Sequence, residues 1–256
     1  MKKYILSDCN LVDVEHGCAL LPHRDIYIGG KVIEKIVPHG DAPQGYTVID
    51  ASGKFVMPGL INLHVHLFGT GRPSKALGGG KAQQRLLRFV QTAFGKKILG
   101  KIVEASAKNQ LYSGVTTLRA VGDLFGSDIA LKRRIENGKG GAKGLRMFIS
   151  GMHGAGTFAR TASSPEELAR MVGEAVSAGA DFVKICITGG VMDAKKRGEP
   201  GEVKMTEEQV RAVCDRAHAL GRKVAAHVQS ERGAEIAARC GVDTIEHGAP
   251  LSGESL

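Results

Sequence analysis

Two histidines at the end of an apolar run are the residues of this chain best suited to metal chemistry. His64 and His66 close the run Phe55-Val-Met-Pro-Gly-Leu-Ile-Asn-Leu-His-Val-His66. Side chains at positions i and i+2 of a β-strand point to the same side, so both imidazoles could reach one cation. Pro58 and Gly59 and the short run favour a strand over a helix. A His-x-His pair alone is more often incidental, so the prediction depends on the rest of the chain.

Three further apolar segments carry a lysine or a histidine in a matching place. Lys184 lies at the centre of the run 181–190, where an isolated ammonium group is costly to bury. His227 ends the segment 222–227, and His247 ends the segment 242–247. The active sites of TIM barrels are built from the C-terminal ends of different parallel strands. The repeated placement therefore favours a metal centre over a set of hydrogen-bonded structural histidines.

The segments that position these residues alternate between strand and helix patterns from residue 58 onward, which is typical of a parallel sheet. Capping boxes that begin at Ser164 and Thr206 open two helices, and a third is predicted from Glu231 to Cys240. The predicted strands are 60–66, 115–121, 145–150, 181–187, 223–228 and 243–247. The predicted fold class is α/β, with a partial TIM (β/α)₈ barrel of about six strands over residues 58–256.

Residues 1–57 carry a different pattern, of short strands separated by turns. Gly29 and Gly30 predict a hairpin turn within this segment. The predicted strands are 4–6, 25–28, 31–37 and 47–50. These residues are expected to form a small, incomplete β-sandwich-like domain with part of its apolar face uncovered.

The motifs of the chain resemble those of the amidohydrolase superfamily, in its imidazolonepropionase and Xaa-Pro dipeptidase-like branch. The resemblance rests on Met57–His66, Ser113–Arg119, Ala180–Gly190, Ala225–His227 and Ile245–Gly248. It implies that His64 and His66 hold one divalent metal ion and that His227 and His247 hold a second. It also implies that a carbamylated Lys184 bridges the two ions, for which Zn²⁺ is the expected metal. A carbamate turns a costly buried cation into an anionic oxygen ligand.

One residue that the resemblance implies is missing. The superfamily uses an aspartate at the end of barrel strand eight as a metal ligand and as a base, but only Gly248–Leu256 follow His247. The expected aspartate therefore lies beyond Leu256, and no catalytic base is assigned in this chain. A complete barrel needs roughly 250 residues, and residues 1–57 precede the first barrel strand. The chain is expected to be truncated after strand six and to be a poor catalyst by itself.

Two more residues are predicted to bind substrate. His153 follows the predicted strand 145–150, in a loop that often carries a substrate-contacting histidine in related enzymes. An ordinary surface histidine is the alternative. Arg119 lies near the end of strand 115–121, where it could bind a substrate carboxylate or pair with a core acid. The sequence leaves both choices open.

The formal net charge of +9 is concentrated in the stretch 71–110. The basic residues there are Arg72, Lys75, Lys81, Arg85, Arg88, Lys96, Lys97, Lys101 and Lys108, against the single acid Glu104. A solvated helical face is one interpretation, and a lid whose positive field attracts anionic substrates is another. Nucleic-acid binding is disfavoured because the aromatic residues of this stretch are too sparse for a stacking platform.

Composition sets the remaining expectations. The apolar runs are far shorter than the roughly 20 residues of a membrane span, and the N-terminus lacks the apolar core of a signal peptide. Five cysteines without Cys-x-x-Cys spacing fit reduced thiols, so a cytoplasmic protein is expected. The expected partner is a small-molecule or dipeptide substrate, with neither nucleic acid nor membrane. Homo-oligomerisation is left open.

The function that the resemblance implies is metal-assisted hydrolysis of an amide or cyclic amidine C–N bond. A metal-activated water would attack the scissile carbon. The alternative is a non-catalytic scaffold with the same fold, although such proteins usually lose metal ligands.

Overall fold

A computed structural model describes residues 2–69, 80–154, 164–190 and 201–253 of the chain, without the side chains of 80, 83 and 151–154. The chain divides into two compact units, Met1–Gly59 and Leu60–Leu256. Each unit has its own sheet.

The first unit is one mixed five-stranded sheet. Its strands are β1 (Lys3–Asp13), β2 (Ala19–Gly29), β3 (Val32–Pro38), β4 (Thr47–Asp50) and β5 (Phe55–Val56). The order is β3-β2-β1-β4, with β5 also paired to β1. The predicted hairpin joins β2 to β3, and Gly30 takes the positive φ of 64° that its turn requires. β1 and β2 are much longer than predicted, and β5 was not predicted.

Part of the apolar surface of this unit is uncovered, as the sequence predicted. Val32 is 63% exposed and Phe55 is 67% exposed, and Ile33, Val48 and Ile49 are exposed as well. Among the described residues of this unit, only six are buried, namely Ile5, Cys9, Asp25, Ile26, Tyr27 and Ala51, and three of them, Cys9, Ile26 and Ala51, form a small apolar cluster. The described residues therefore leave much of this sheet without a packing partner.

The second unit has a six-stranded sheet, and its strands alternate along the chain with helices. Its strands are β6 (Leu60–Val65), β7 (Val115–Ala120), β8 (Arg146–Gly154), β9 (Phe182–Cys186), β10 (Val224–Val228) and β11 (Thr244–His247). Its helices are α1 (Gly80–Gln91), α2 (Ala93–Tyr112), α3 (Ser127–Glu136), α4 (Pro165–Ser177), α5 (Glu207–Ala219) and α6 (Glu231–Arg239). Neighbouring strands pair in parallel in chain order, which is the arrangement of a partial (β/α)₈ barrel.

The six predicted barrel strands are confirmed, with ends that differ by one residue except in β8. β8 continues through Gly154, where its residues pair with β9. The prediction that His153 lies in a loop is therefore wrong, because its backbone is part of the strand and pairs with Ile185. Pairing with β9 extends β8 beyond the point at which its apolar pattern ends.

The core of the barrel unit lies between the sheet and the helices. β9 is buried at every position, as expected for a strand of a parallel sheet covered on both faces. The predicted core positions of α4 and α5 pack in one cluster with β9 and β10. They are Leu168, Met171 and Val172 on α4 and Val210, Val213 and Ala217 on α5. This packing holds the strands that carry the candidate site.

The basic stretch forms exposed helix surface where the structure describes it. Lys81, Arg85 and Arg88 are exposed on α1, and Lys96, Lys97 and Lys101 are exposed on α2. Arg72 and Lys75 lie outside the described residues. Within the described part of the chain, no helix combines the length and the apolar character that crossing a membrane requires.

The helices begin at the caps that the sequence predicted. Oγ of Ser164 accepts a hydrogen bond from the backbone N–H of Glu167 at 3.2 Å. Oγ1 of Thr206 accepts from the N–H of Gln209 at 3.2 Å, while Oε1 of Gln209 accepts from the N–H of Thr206 at 2.9 Å. Each cap satisfies backbone donors that a helix leaves unpaired at its start.

Replacing Thr206 by alanine removes one acceptor of this capping box. We expect the free energy of unfolding to fall by about 1 kcal/mol, the typical cost of losing a cap. Urea denaturation of the purified protein measures the change. Thr206→Ser keeps the hydroxyl and should retain most of the stability, so equal losses in both variants would contradict the cap as the cause.

Candidate metal centre

The five side chains proposed as metal ligands lie on four strands of the barrel unit, at or near their C-terminal ends. His64 is on β6, His66 follows it, Lys184 is on β9, His227 is on β10 and His247 ends β11. The ring centroids of His64 and His66 are 5.4 Å apart, those of His64 and His247 are 4.8 Å apart, and those of His227 and His247 are 4.5 Å apart. The fold therefore brings the four imidazoles into one cluster.

Lys184 lies close enough to this cluster to act on all four rings. It is 1% exposed, and its Nζ has no hydrogen-bond partner among the described residues. Its positive charge helps to lower the pKa of each of the four histidines, so the amine lies near all four rings. Burial lowers the pKa of Lys184 itself to about 8. A substantial fraction of this amine is therefore neutral near physiological pH.

His64 and His66 are both held through Nδ1. Nδ1 of His64 lies 2.7 Å from Oε2 of Glu246, and Nδ1 of His66 lies 2.6 Å from the carbonyl oxygen of Gly122. An ionised carboxylate and a carbonyl only accept hydrogen bonds, so the proton of each neutral ring must lie on Nδ1. The lone pair of Nε2 is then available in both residues, as a metal ligand requires.

His227 presents an unused nitrogen as well. Its Nε2 is buried and has no hydrogen-bond partner in the part of the chain that the structure describes. A Cβ atom on Gly190 would lie 3.0 Å from this nitrogen, so glycine keeps the space beside it clear. Burial lowers the pKa of His227 to about 4 and that of His66 to about 4, so both rings are neutral at pH 7. These donors fit a divalent metal ion of the kind that imidazole binds.

The histidines lie close together, but their positions do not form a complete metal-coordinating group. Among the described residues, no three His, Cys, Asp or Glu side chains are gathered tightly enough to form a metal-coordinating group by themselves. Lys184 is not one of those four residue types. Among the described residues, its amine has no hydrogen-bond partner. His247 takes a φ of 73°, a left-handed conformation that is uncommon outside glycine and that recurs at functional sites.

Arg119 is paired with an acid inside the barrel unit. Its Nη1 donates to Oε1 of Glu246 at 2.6 Å, and its Nη2 donates to Oγ1 of Thr244 at 2.9 Å. The guanidinium also lies over the ring of Phe182, 4.3 Å from its centroid. Of the two roles weighed for Arg119, the structure shows the pairing with a core acid. Binding of a substrate carboxylate stays a prediction.

Glu246 is the residue of this cluster that sequence reasoning missed. Burial alone would raise the pKa of its carboxyl group, but hydrogen bonds from Arg119 and His64 hold it at about 2. The signal available in the sequence was a charged residue inside the short strand 243–247, next to His247. An arginine in another barrel strand needed an acid of this kind.

Two other residues, His153 and Asp123, also come from segments that follow strands or lie at their ends. The side chain of His153 lies outside the described residues, so its contact with substrate stays a prediction. Asp123 fastens the segment that follows β6, because its Oδ1 accepts from the backbone N–H of Phe68 at 2.8 Å. Burial raises the pKa of Asp123 to about 6. Asp123 directly follows Gly122, whose carbonyl oxygen accepts from His66. Its bond to Phe68 therefore ties the segment after His66 to the segment that carries the acceptor of His66.

The comparison with known families identifies the barrel unit. The model of the amidohydrolase family matches residues 55–255. The chain belongs to the amidohydrolase family. The match includes all five proposed metal ligands.

Solved structures of the family superpose on nearly the whole chain. A putative prolidase from Bifidobacterium longum is 33% identical with a TM-score of 0.74, and the alignment covers 99% of this chain and 56% of that one. A prolidase complexed with N-methylphosphonate-L-proline is 26% identical with a TM-score of 0.80, covering 99% and 63% of the two chains.

Curated relatives match shorter parts of the chain. The dihydroorotase of Bacillus pumilus is 47% identical over 124 residues, which are 43% of this chain and 28% of that enzyme. The dihydroorotase of Staphylococcus aureus is 49% identical over 47 residues, which are 11% of that enzyme. The chain thus spans less than two thirds of the length of these relatives.

Substituting Gly190 by alanine tests the space beside His227. The added Cβ would crowd Nε2, so we expect this variant to bind Zn²⁺ roughly 10–100-fold more weakly, as when the surroundings of a ligand are disturbed. Competition with a chromophoric chelator measures the affinity.

Gly100→Ala is the matched control, because its Cβ would meet no atom within 4 Å. It should leave the Zn²⁺ affinity unchanged and should stabilise α2 slightly. Unchanged affinity in Gly190→Ala would show that the space beside His227 is not used by a metal.

Proposed function

We propose that the protein is a metal-dependent hydrolase of Xaa-Pro dipeptides that cleaves the amide C–N bond. The observation that carries the proposal is the buried, unpartnered amine of Lys184 among four histidines at the C-terminal edge of a parallel sheet. Support for the substrate class comes from prolidase structures that superpose on 99% of the chain. A third superposed structure is that of a Xaa-Pro dipeptidase with bound methionine in its active site.

In this proposal His64 and His66 would hold one divalent cation, His227 and His247 would hold the other, and a carbamylated Lys184 would supply oxygen ligands to them. When bound, the cations supply Lewis-acid activation of water and of the scissile carbonyl group. The chain contributes neutral imidazoles, of which His64 and His66 are oriented by their Nδ1 contacts, in a partly buried setting that strengthens electrostatic interactions. Zn²⁺ is the proposed metal because imidazole-rich sites suit it.

The modification of Lys184 requires the neutral form of its amine. The neutral Nζ attacks the carbon of dissolved CO₂, a new N–C bond forms while the π bond of one C=O group breaks and its electron pair moves to oxygen, and one proton leaves Nζ for solvent. The product is an anionic carbamate with two oxygen donors. The lowered pKa of Lys184, about 8, increases the reactive neutral fraction. Without this change the site would contain a buried ammonium group that has no hydrogen-bond partner among the described residues, which is costly.

A cyclic amide is the second candidate substrate. The 47% identity to the dihydroorotase of Bacillus pumilus over 124 residues favours it, although that match covers less than half of this chain. The imidazolonepropionase-like alternative also stays a prediction. A non-catalytic scaffold is disfavoured because all five ligand-type residues are present and clustered.

Hydrolysis by the Zn²⁺-loaded protein, assayed on a panel of Xaa-Pro dipeptides and on dihydroorotate, tests these candidates. We expect slow dipeptide cleavage, because no catalytic base is assigned in this chain, and a chelator should abolish it and Zn²⁺ restore it. Lys184→Met should lower kcat/KM at least about 100-fold, the upper end of what losing even an outer-shell partner costs. Lys143→Met, which changes an exposed lysine, serves as the control. Cleavage that survives chelation would contradict the metal, and turnover of dihydroorotate alone would favour the second candidate.

The basic surface of α1 is proposed to attract anionic substrates, such as a dipeptide whose Xaa residue is acidic. Changing Lys81, Arg85 and Arg88 together to glutamine should raise KM for such substrates at low ionic strength and weaken its salt dependence. Steady-state kinetics at several salt concentrations measure both effects.

A control triple variant changes exposed lysines that precede strands, at the opposite edge of the sheet. These are Lys139, Lys143 and Lys223. It removes the same charge and should leave KM nearly unchanged. Equal effects of the two triple variants would leave α1 as an ordinary solvated surface.

A further inference from the structure

We propose that Glu246 is a positioning residue for the metal centre, which holds His64 in the tautomer and orientation that present Nε2 to the cation. The inference rests on the proposed metal-dependent function and adds a residue to it. Glu246 would not touch the metal or the substrate. It would act through the imidazole that it binds.

The contacts of Glu246 reach across the interior of the barrel unit. Its strand, β11, is at one end of the sheet order, and the β6 strand of His64 is at the other end. The two residues are 182 positions apart in the chain, yet Nδ1 of His64 and Oε2 of Glu246 are 2.7 Å apart. The sheet is therefore curved enough for side chains of its first and last strands to meet.

The second carboxylate oxygen of Glu246 is also engaged. Oε1 accepts from Nη1 of Arg119 at 2.6 Å and lies 3.3 Å from Oγ1 of Thr244, which itself accepts from Nη2 of Arg119. The ion pair is largely buried, with Glu246 10% exposed and Arg119 20% exposed. Arg119 thus fixes the carboxylate, and the carboxylate fixes His64.

The chemistry of this contact requires a carboxylate. An ionised carboxylate accepts hydrogen bonds and donates none, so both partners must be donors. It therefore keeps the proton of His64 on Nδ1, and it makes the imidazole a stronger ligand. Glutamine has the same length, but its NH₂ group would face either Arg119 or Nδ1 of His64, which are both donors. Aspartate is one methylene shorter and cannot reach both partners from the same backbone position.

The test compares the metal affinity of folded variants. Glu246→Gln should weaken binding of one of two Zn²⁺ equivalents roughly 10–100-fold, the usual cost of losing an outer-shell partner of a ligand. The equivalent held by His227 and His247 should keep its affinity. Chelator competition with Zn²⁺ gives both affinities, and the visible spectrum of the Co²⁺-loaded protein reports the geometry of the altered site. Glu246→Asp should fall between the wild type and Glu246→Gln.

Two further variants separate positioning from stability. Glu235→Gln breaks a surface pair with Arg232 and should change neither the metal affinity nor the Co²⁺ spectrum. Arg119→Met keeps the carboxylate while removing its anchor, and should weaken the same Zn²⁺ equivalent by a smaller factor. Thermal unfolding of the metal-free proteins reports stability separately.

The outcomes distinguish the two proposals. A Glu246→Gln protein that unfolds at lower temperature but binds both Zn²⁺ equivalents with wild-type affinity overturns the positioning role. Absence of Zn²⁺ binding by the wild type overturns it as well. Selective weakening of one Zn²⁺ equivalent supports the positioning role, whether or not dipeptides are cleaved. Zn²⁺ binding without hydrolysis of any tested substrate contradicts only the proposed function.

Discussion

The buried amine of Lys184 is the constraint on which the arrangement of the barrel interior depends. It is 1% exposed, it lies in a strand that is buried at every position, and no described residue forms a hydrogen bond with its Nζ. Such a group is destabilising unless it is neutralised or given partners of opposite charge. The four surrounding imidazoles are neutral near pH 7 and cannot compensate it. The proposed conversion of Lys184 to an anionic carbamate that binds divalent cations would remove the conflict.

The sheet supplies the geometry that such a centre needs. Six parallel strands in chain order bring their C-terminal ends to one edge, so residues far apart in sequence share a small volume. Backbone and side-chain acceptors then orient the rings: Gly122 binds His66, and Glu246 binds His64. Gly190 contributes by leaving room beside His227. The rigidity of the site therefore comes from strands and their immediate partners.

Much of the barrel unit was predictable because its local signals agree with its fold. Apolar runs bounded by glycine located the six strands, and capping boxes at Ser164 and Thr206 located two helix starts. The predictions failed where pairing with a neighbour overrides the local pattern. β8 extends through Gly154 because β9 pairs with it, and β5 exists because its two residues pair with β1. Neither partner is visible in a local window of sequence.

The sequence by itself determined the residue types of the candidate centre and their places on strands, because the two-residue period of a strand and the apolar runs are local properties. The tertiary structure alone decided what those side chains contact. Arg119 and Glu246 are 127 residues apart, and their pairing depends on how far the sheet curves and which strands face each other across its interior. The tautomer of His64 depends on the same curvature, since its acceptor Glu246 lies on the strand at the other end of the sheet. The tautomer of His66 depends on the pairing of β6 with β7, because its acceptor Gly122 follows β7.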